Sequence, residues 1–342
     1  MAAGDVVRTA PAVASSSDSN NNEPRGDLEA ERMYETALTR SPPPEVRADL
    51  LFNLAKVRER LGREGVEDLY GKALDAFPGH VRARTNLGVL KLRRGEMEEA
   101  LAVLSWSDGE PRDLADLENN RGIALETVGR LEEAIEAYER AIELSNGEDP
   151  NPLTNLGTAL GSTDRGLDSH RRARNAAPED ATVRYNLAAT LEDLGNSEEA
   201  LAEYREAIRL FPGYAAARNN LALLLDATRG GDPQEIASHF EIACDIEDDV
   251  DYLCNLGAFR RANGDVDKAF LAYEKAVALA DVFDAHLALS ELYAAKGHID
   301  AALRHAKLAV KLAPPDARPS TRDFLRDLLT AWHDTLDLED EV

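Results

Sequence analysis

The stretch YNLAATLEDLGNSEEALAEYREAIRLFP, Tyr185 to Pro212, decides the fold. It reads as two short helices with an apolar stripe each, parted by Gly195 and closed by Pro212. Its skeleton returns along the chain. NLGVLKLRRGEMEEAL begins at Asn86, NRGIALETVGRLEEAIEAYERAIEL at Asn120, and NLGAFRRANGDVDKAFLAYEKAVAL at Asn255. One asparagine marks the phase: Asn53, Asn86, Asn120, Asn155, Asn186, Asn220 and Asn255 follow one another at intervals of 31 to 35 residues. The series stops at Ala288.

With Ala181 counted as position one, this asparagine is at six. Position seven is usually Leu, as in Leu87, Leu187 and Leu221, and position eight is small, as in Gly88, Gly122, Gly157 and Gly257. Gly recurs at fifteen, Ala at twenty and twenty-seven, and an aromatic at twenty-four, as in Tyr138, Tyr204 and Tyr273. Small residues let two antiparallel helices approach to about 8–10 Å. Gly at fifteen supplies a left-handed residue that ends the first helix. Proline at the end stops the second, because it lacks an amide and clashes with the turn before it. One such pair cannot bury its apolar faces alone, so copies must stack.

Composition agrees. The 342 residues are 44% apolar and 30% charged, with only 6% aromatic, and runs of β-branched residues are scarce. That favours helix and predicts little or no sheet. A net charge of −25 disfavours nucleic acid and anionic membrane and favours basic partners. Cys244 and Cys254 belong to no CxxC pair, so packing in a reducing compartment is expected. No stretch reaches the length of a membrane span. The N-terminus lacks the apolar core of a secretory signal. The expectation is a cytoplasmic protein, with a nuclear or organellar location left open.

The pattern resembles the tetratricopeptide repeat, a helix–turn–helix unit, over roughly Leu28 to Pro315. The resemblance implies an all-α fold, a right-handed superhelical solenoid of antiparallel helix pairs. The organisation read on that basis is a disordered segment 1–26, an array 27–315, a capping helix 316–336 and an acidic tail 337–342. The array begins with a half repeat, then eight units starting near Ala48, Val81, Ala115, Pro150, Ala181, Ala215, Val250 and Phe283. Ser320 with Asp323 reads as a capping box, and Phe324, Leu328 and Trp332 as part of an apolar stripe covering the last unit. Unit two loses its second helix early, around Trp106, Gly109 and Pro111. Unit four is compressed and puts Gly166 where Ala belongs; unit six carries two extra residues.

No phosphate loop, HExxH, GxSxG or metal-ligand spacing occurs. The seven histidines are scattered, and HRRAR, His170 to Arg174, reads as a basic cluster pairing with nearby acids. No catalysis, cofactor or metal is expected. The expected function is a protein-interaction scaffold, with self-association of terminal units as a further possibility and membrane insertion excluded. An Asn side chain has one acceptor and two donors, so it can pair with both backbone groups of an extended peptide. First helices about 10 Å apart would meet roughly every third residue of a strand rising about 3.3 Å each. The ladder resembles the arrays of O-linked N-acetylglucosamine transferase and kinesin light chains, which hold extended peptides. That resemblance implies contacts at the seven asparagines with groove neighbours Lys56, Arg82, Asn119, Tyr185 and Asn219. The competing reading is that the asparagines bond within or between helices. The carboxylate clamp of chaperone-binding repeats, which needs Lys at five and Asn at nine, is matched nowhere. The second functional reading is a substrate-recruiting array working with a glycosyltransferase in trans, since no length for a catalytic domain follows the array.

Overall fold

The computed structural model describes residues 24–105 and 111–339. Among them are eighteen α-helices and no strand. They divide into two compact units that meet in sequence at Gly195 and Asn196.

The first unit opens with α1 (Pro24–Leu38), three residues ahead of the boundary set by sequence. Three helix pairs of full or reduced length follow: α2 (Pro44–Arg60) with α3 (Val66–Ala76), α4 (Val81–Arg93) with α5 (Met97–Leu104), and α6 (Pro111–Thr127) with α7 (Leu131–Leu144). Then come α8 (Pro150–Leu160) with α9 (Asp164–Ala176), and α10 (Ala181–Asp193). The second unit holds α11 (Ser197–Leu210), α12 (Ala215–Thr228) with α13 (Pro233–Ile246), α14 (Val250–Ala262) with α15 (Val266–Leu279), α16 (Phe283–Ala295) with α17 (Ile299–Leu312), and α18 (Arg318–Glu339). Six of the eight expected unit starts coincide with the first residue of a helix; α2 and α6 begin four residues earlier, each on a proline. Proline at a first helical position wastes no hydrogen bond, because that amide has no partner there anyway. Pro111 therefore starts a helix, while the early end of the second helix in unit two stands at Leu104. Trp106 and residues 1–23 lie outside the described residues.

Most turns inside a pair use the glycine at position fifteen; in unit six Arg229 stands there, left-handed at φ 52°. Gly95, Gly129, Gly264 and Gly297 have φ between 76° and 82°, a left-handed conformation that a side chain resists. The seam within a pair uses the glycine at position eight. A Cβ on Gly122 would lie 2.4 Å from Tyr138 Cε1, one on Gly88 2.5 Å from Leu104 Cδ2, and one on Gly257 2.8 Å from Tyr273 Cζ. Tyr138 and Leu104 are fully buried there. In unit four the same place belongs to His170, whose Nε2 would be 2.6 Å from a Cβ on Gly157. The compressed turn of that unit explains Gly166: a Cβ would strike the Gly161 carbonyl.

The half repeat α1 is attached by charge as much as by apolar contact. Glu31, 3% exposed, accepts from Arg58 Nε at 2.9 Å and pairs with Arg63; Glu35 pairs with Arg58 at 2.8 Å. Arg60 binds both oxygens of Asp27, at 2.7 and 3.1 Å, and holds that carboxyl below the usual carboxylate range. These arginines close the last turn of α2 and its following residues, where the helix dipole favours cations. At the other end, α18 packs on α17 and contributes Phe324, Leu325 and buried Leu328 to a cluster with Leu303 and Ala306. The capping box does not form. The helix starts at Arg318, so Ser320 is already inside it and donates to the Ala317 carbonyl, while Asp323 pairs with Arg326. The helix continues through Glu339, into the segment read as an acidic tail; the Trp332 side chain is outside the described ones.

Two outcomes follow for the first unit. Gly122→Ala should destabilise it by about 1–3 kcal/mol, through overpacking against Tyr138, whereas Gly71→Ala, in open space inside α3, should stabilise it by about 0.5–1 kcal/mol; urea titrations of both variants check the opposite signs. Burial pushes the His170 imidazole down to about 4 from 6.5. The unfolded chain therefore takes up this proton first, and stability should fall as pH drops from about 6.5 to about 4, by roughly 3 kcal/mol at 1.36 kcal/mol per pH unit. Amide exchange of α8 and α9 should lose this slope in His170→Leu, which copies Leu104 in unit two.

Candidate functional site

The first helices of successive repeats lie side by side within each unit: α4 packs on α6, α6 on α8 and α8 on α10, and in the second unit α12 on α14. Ten of the twelve residues singled out by sequence sit on these helices, and Asn53 and Lys56 sit on α2, the first helix of unit one. They do not share one environment. Asn119, Asn120, Asn155, Tyr185, Asn219 and Asn220 are buried; Asn53, Asn86, Asn186, Asn255 and Lys56 are half-buried; Arg82 is exposed. Lys56 pairs with Glu59 at 3.4 Å, and the Arg82 guanidinium lies 5.1 Å from the centre of the Phe52 ring.

The hydrogen bonds of the asparagines obey a simple rule. Position six of one repeat turns its amide toward the repeat before it. Where that repeat has Asn at position five, the two amides pair: Asn155 Nδ2 donates to Asn119 Oδ1 at 3.0 Å, and Asn255 Nδ2 to Asn219 Oδ1 at 3.1 Å. Otherwise the amide reaches the tyrosine hydroxyl of the preceding second helix, over the longer distances of 3.4 Å from Asn86 to Tyr70 and 3.5 Å from Asn220 to Tyr204. In the second unit the bonds join into a chain from Asn255 through Asn219 and Asn220 to Tyr204, with Asn219 donating to Asn220 at 3.1 Å. The hydroxyls are passed on in turn to the glutamate at position twelve, at 3.4 Å from Tyr70 to Glu59 and 2.9 Å from Tyr138 to Glu126.

The rule also accounts for its exceptions. Before Asn120 stand Thr85, which bonds the Val81 carbonyl of its own helix, and Leu104 in place of tyrosine. Asn120 therefore folds back on the Asp116 carbonyl at 2.8 Å, and its Oδ1 stays buried without a partner. Before Asn186 stand Thr154, bonded to the Pro150 carbonyl, and His170 in the ring position. Before Asn53 the described residues offer only α1. The side-chain amides of Asn53 and Asn186 have no hydrogen-bond partner among the described residues.

Sequence reasoning found these residues but not the division between them. The signal was present: two Asn-Asn doublets, 119–120 and 219–220, each have a further Asn 36 residues after their first member. HRRAR is likewise divided, since His170 is a core residue, 1% exposed, rather than part of a surface patch. The two histidines that do meet, His286 and His305, were not paired by spacing, because they come from different helices.

Redox or metal chemistry finds little support in the side chains. Burial pushes the Cys244 thiol up to about 11 and the Cys254 thiol up to about 12, the latter with help from Asp284, Asp251 and Asp249. Among the described residues no group of three or more His, Cys, Asp or Glu is placed to hold a metal ion. No described helix is long and apolar enough to cross a membrane. An open cleft of about 610 Å³ lies between the start of α6 and the α7–α8 turn, but none of the twelve residues lines it.

The tetratricopeptide repeat family matches residues 67–105, 115–146, 181–214 and 284–307. Among solved structures, the chain is similar to one from a functional characterisation of pilF of Pseudomonas aeruginosa, at 18% identity and a TM-score of 0.55, covering 63% of this chain and 99% of that one. It is also similar to a chain of the APC/C hetero-tetramer Cut9–Hcn1, at 18% identity and a TM-score of 0.54, covering 91% of this chain and 60% of that one. At such identity the likeness concerns the fold alone. Comparison with curated proteins finds no match. Four matches to one repeat family, spread from residue 67 to residue 307, show that this chain contains tetratricopeptide repeats.

Proposed function

We propose that the chain is a non-catalytic protein-interaction scaffold whose first-helix faces hold extended peptide segments. One observation carries this reading: Asn53 and Asn186 are half-buried on those faces, and both ends of their amides have no hydrogen-bond partner among the described residues. Such an amide can accept from a peptide N–H and donate to the next carbonyl, which binds a backbone regardless of its side chains. Lys56 and Arg82, close to Asn53 in the first two repeats, are engaged with Glu59 and the Phe52 ring and would meet the backbone carbonyls of the same ligand rather than its side chains. Asn86, Asn155, Asn220 and Asn255, with Asn119 and Asn219, serve a different purpose and brace one repeat on the next.

Charge points to the kind of segment. The chain carries 64 acidic against 39 basic residues. On α14 and α16, Asp251 and Asp284 come near enough to each other that burial, Asp249 and Asp284 together raise the Asp251 carboxyl above its ordinary value. A cation brought there would relieve that repulsion. A basic, unstructured segment is the partner this surface favours.

The test uses a library of unstructured peptides selected on the full chain, followed by titration of the winners. Asn53→Ala with Asn186→Ala should weaken binding about tenfold or more, at ~1 kcal/mol for each hydrogen-bonded amide lost, with the melting temperature unchanged. Asn155→Ala should do the reverse, lowering stability by about 1–2 kcal/mol through the partner it strands and leaving affinity nearly intact. N-methylation of the peptide backbone should abolish the difference between wild type and the double variant. Equal affinity of wild type and double variant for unmodified peptides would remove the open amides from the mechanism.

A further inference from the structure

The last complete repeat contains a contact that its helical role does not require. His286, on α16 and 3% exposed, faces His305 on α17, with Nδ1 to Nδ1 at 2.9 Å and ring centres 5.1 Å apart. The other nitrogen of His286 lies 3.1 Å from Asp281 Oδ1, in the turn before α16. The other face of His305 is stacked on Tyr293 of α16, at 5.4 Å and 18°. Tyr293 also meets the Phe270 ring of α15 edge-on at 5.0 Å and donates to Glu274 of α15 at 3.0 Å. It belongs to the apolar cluster that Phe324 and Leu325 of α18 complete. The imidazole pair thus joins α16 to α17 at the place from which α18 is held.

We propose that the His286–His305 pair is a proton-operated latch on the last repeat, closed at neutral pH and released by acid. The reading is independent of any ligand on the first-helix faces. Proton bookkeeping gives the reason. Two nitrogens 2.9 Å apart can share one proton between them. The neutral pair satisfies this when His286 donates from Nε2 to Asp281 and accepts at Nδ1 from His305. One added proton, at His305 Nε2, leaves the shared bond intact. A second would set N–H against N–H and cation beside cation, so the native pair takes it only by separating. The unfolded chain accepts both protons near pH 6.5. It therefore binds more protons than the folded repeat below that pH, and stability there falls as pH falls.

The surrounding charges do not cancel this. Burial, followed by His286, holds the His305 imidazole below its ordinary value; Glu274 opposes and Arg304 reinforces the shift. Lys296 is paired with Asp267 at 2.8 Å and lies over Phe270, and His298 meets Tyr293 at 6.3 Å. From α18 the described charged pair, Asp323 and Arg326, is closed on itself.

The test is amide hydrogen exchange on the full chain at pH 7.5 and 5.5, corrected for intrinsic rates. Opening of α17 and the start of α18 should rise about tenfold or more on acidification, while α14 of the same unit changes little. His305→Gln, which keeps a hydrogen-bonding group toward His286 but does not titrate, should remove most of that rise. Imidazole nitrogen spectra of the wild type serve if that variant does not fold. They should show two rings that share one proton at neutral pH and change together on acidification. Two independent titrations near 6.5, or protection of α17 unchanged between the two pH values, would overturn the latch.

Discussion

The structure depends on one steric constraint, the closeness of the two helices in a repeat at position eight. Gly88, Gly122, Gly157 and Gly257 have no side chain because the space is taken by Leu104, Tyr138, His170 and Tyr273 from the second helix. Interiors pack to near-crystalline density, so an added methyl group at such a contact has nowhere to go. In the last repeat the position belongs to Ser290, which is fully buried and donates to the Ala302 carbonyl at 2.7 Å. The turn between the two helices is a separate requirement, met in most repeats by a left-handed glycine and in unit six by a left-handed Arg229.

Bringing the helices so close buries polar groups, and the array deals with them by passing hydrogen bonds along its length. A buried tyrosine hydroxyl gives its proton to a glutamate of its own repeat, as in Tyr138 and Glu126, and accepts from an asparagine of the next, as Tyr70 accepts from Asn86. Two asparagines can replace the tyrosine, as Asn119 and Asn155 do. Buried amides are costly unless paired, which makes these bonds specific for register as well as stabilising. In unit two Leu104 stands for tyrosine, so Asn120 Nδ2 turns back to the Asp116 carbonyl of its own helix, while its Oδ1 is buried and unpaired. The change of partner at Nδ2 follows from the neighbouring repeat rather than from Asn120 itself.

Departures from the repeat pattern prove to have different physical meanings. Gly166, which looked like a missing alanine, is demanded by the Gly161 carbonyl in the compressed turn. Pro111, which looked like a break, is the first residue of α6. His170, which looked like part of a basic surface run, fills the ring pocket and loses its proton to burial. Each is a residue whose type is consistent with two environments, and sequence context within one repeat does not distinguish them.

The chain's own order of residues determined the helix pairs, their phase and their turns. Those properties follow from contacts inside a repeat, between positions a fixed distance apart, and periodicity records such distances directly. Gly95, Gly129 and Gly264 are legible for that reason. The fate of each asparagine was decided only by tertiary structure. Asn155 and Asn186 occupy the same position in the same pattern, yet one is bonded to Asn119 and the other has no partner among the described residues. The difference lies in what the preceding repeat presents, and a side-chain amide takes its role from the donor or acceptor within about 3 Å of it. His286 and His305 make the same point across two helices: nothing in a spacing of nineteen residues brings two ring nitrogens to hydrogen-bonding distance until the helices are folded against each other.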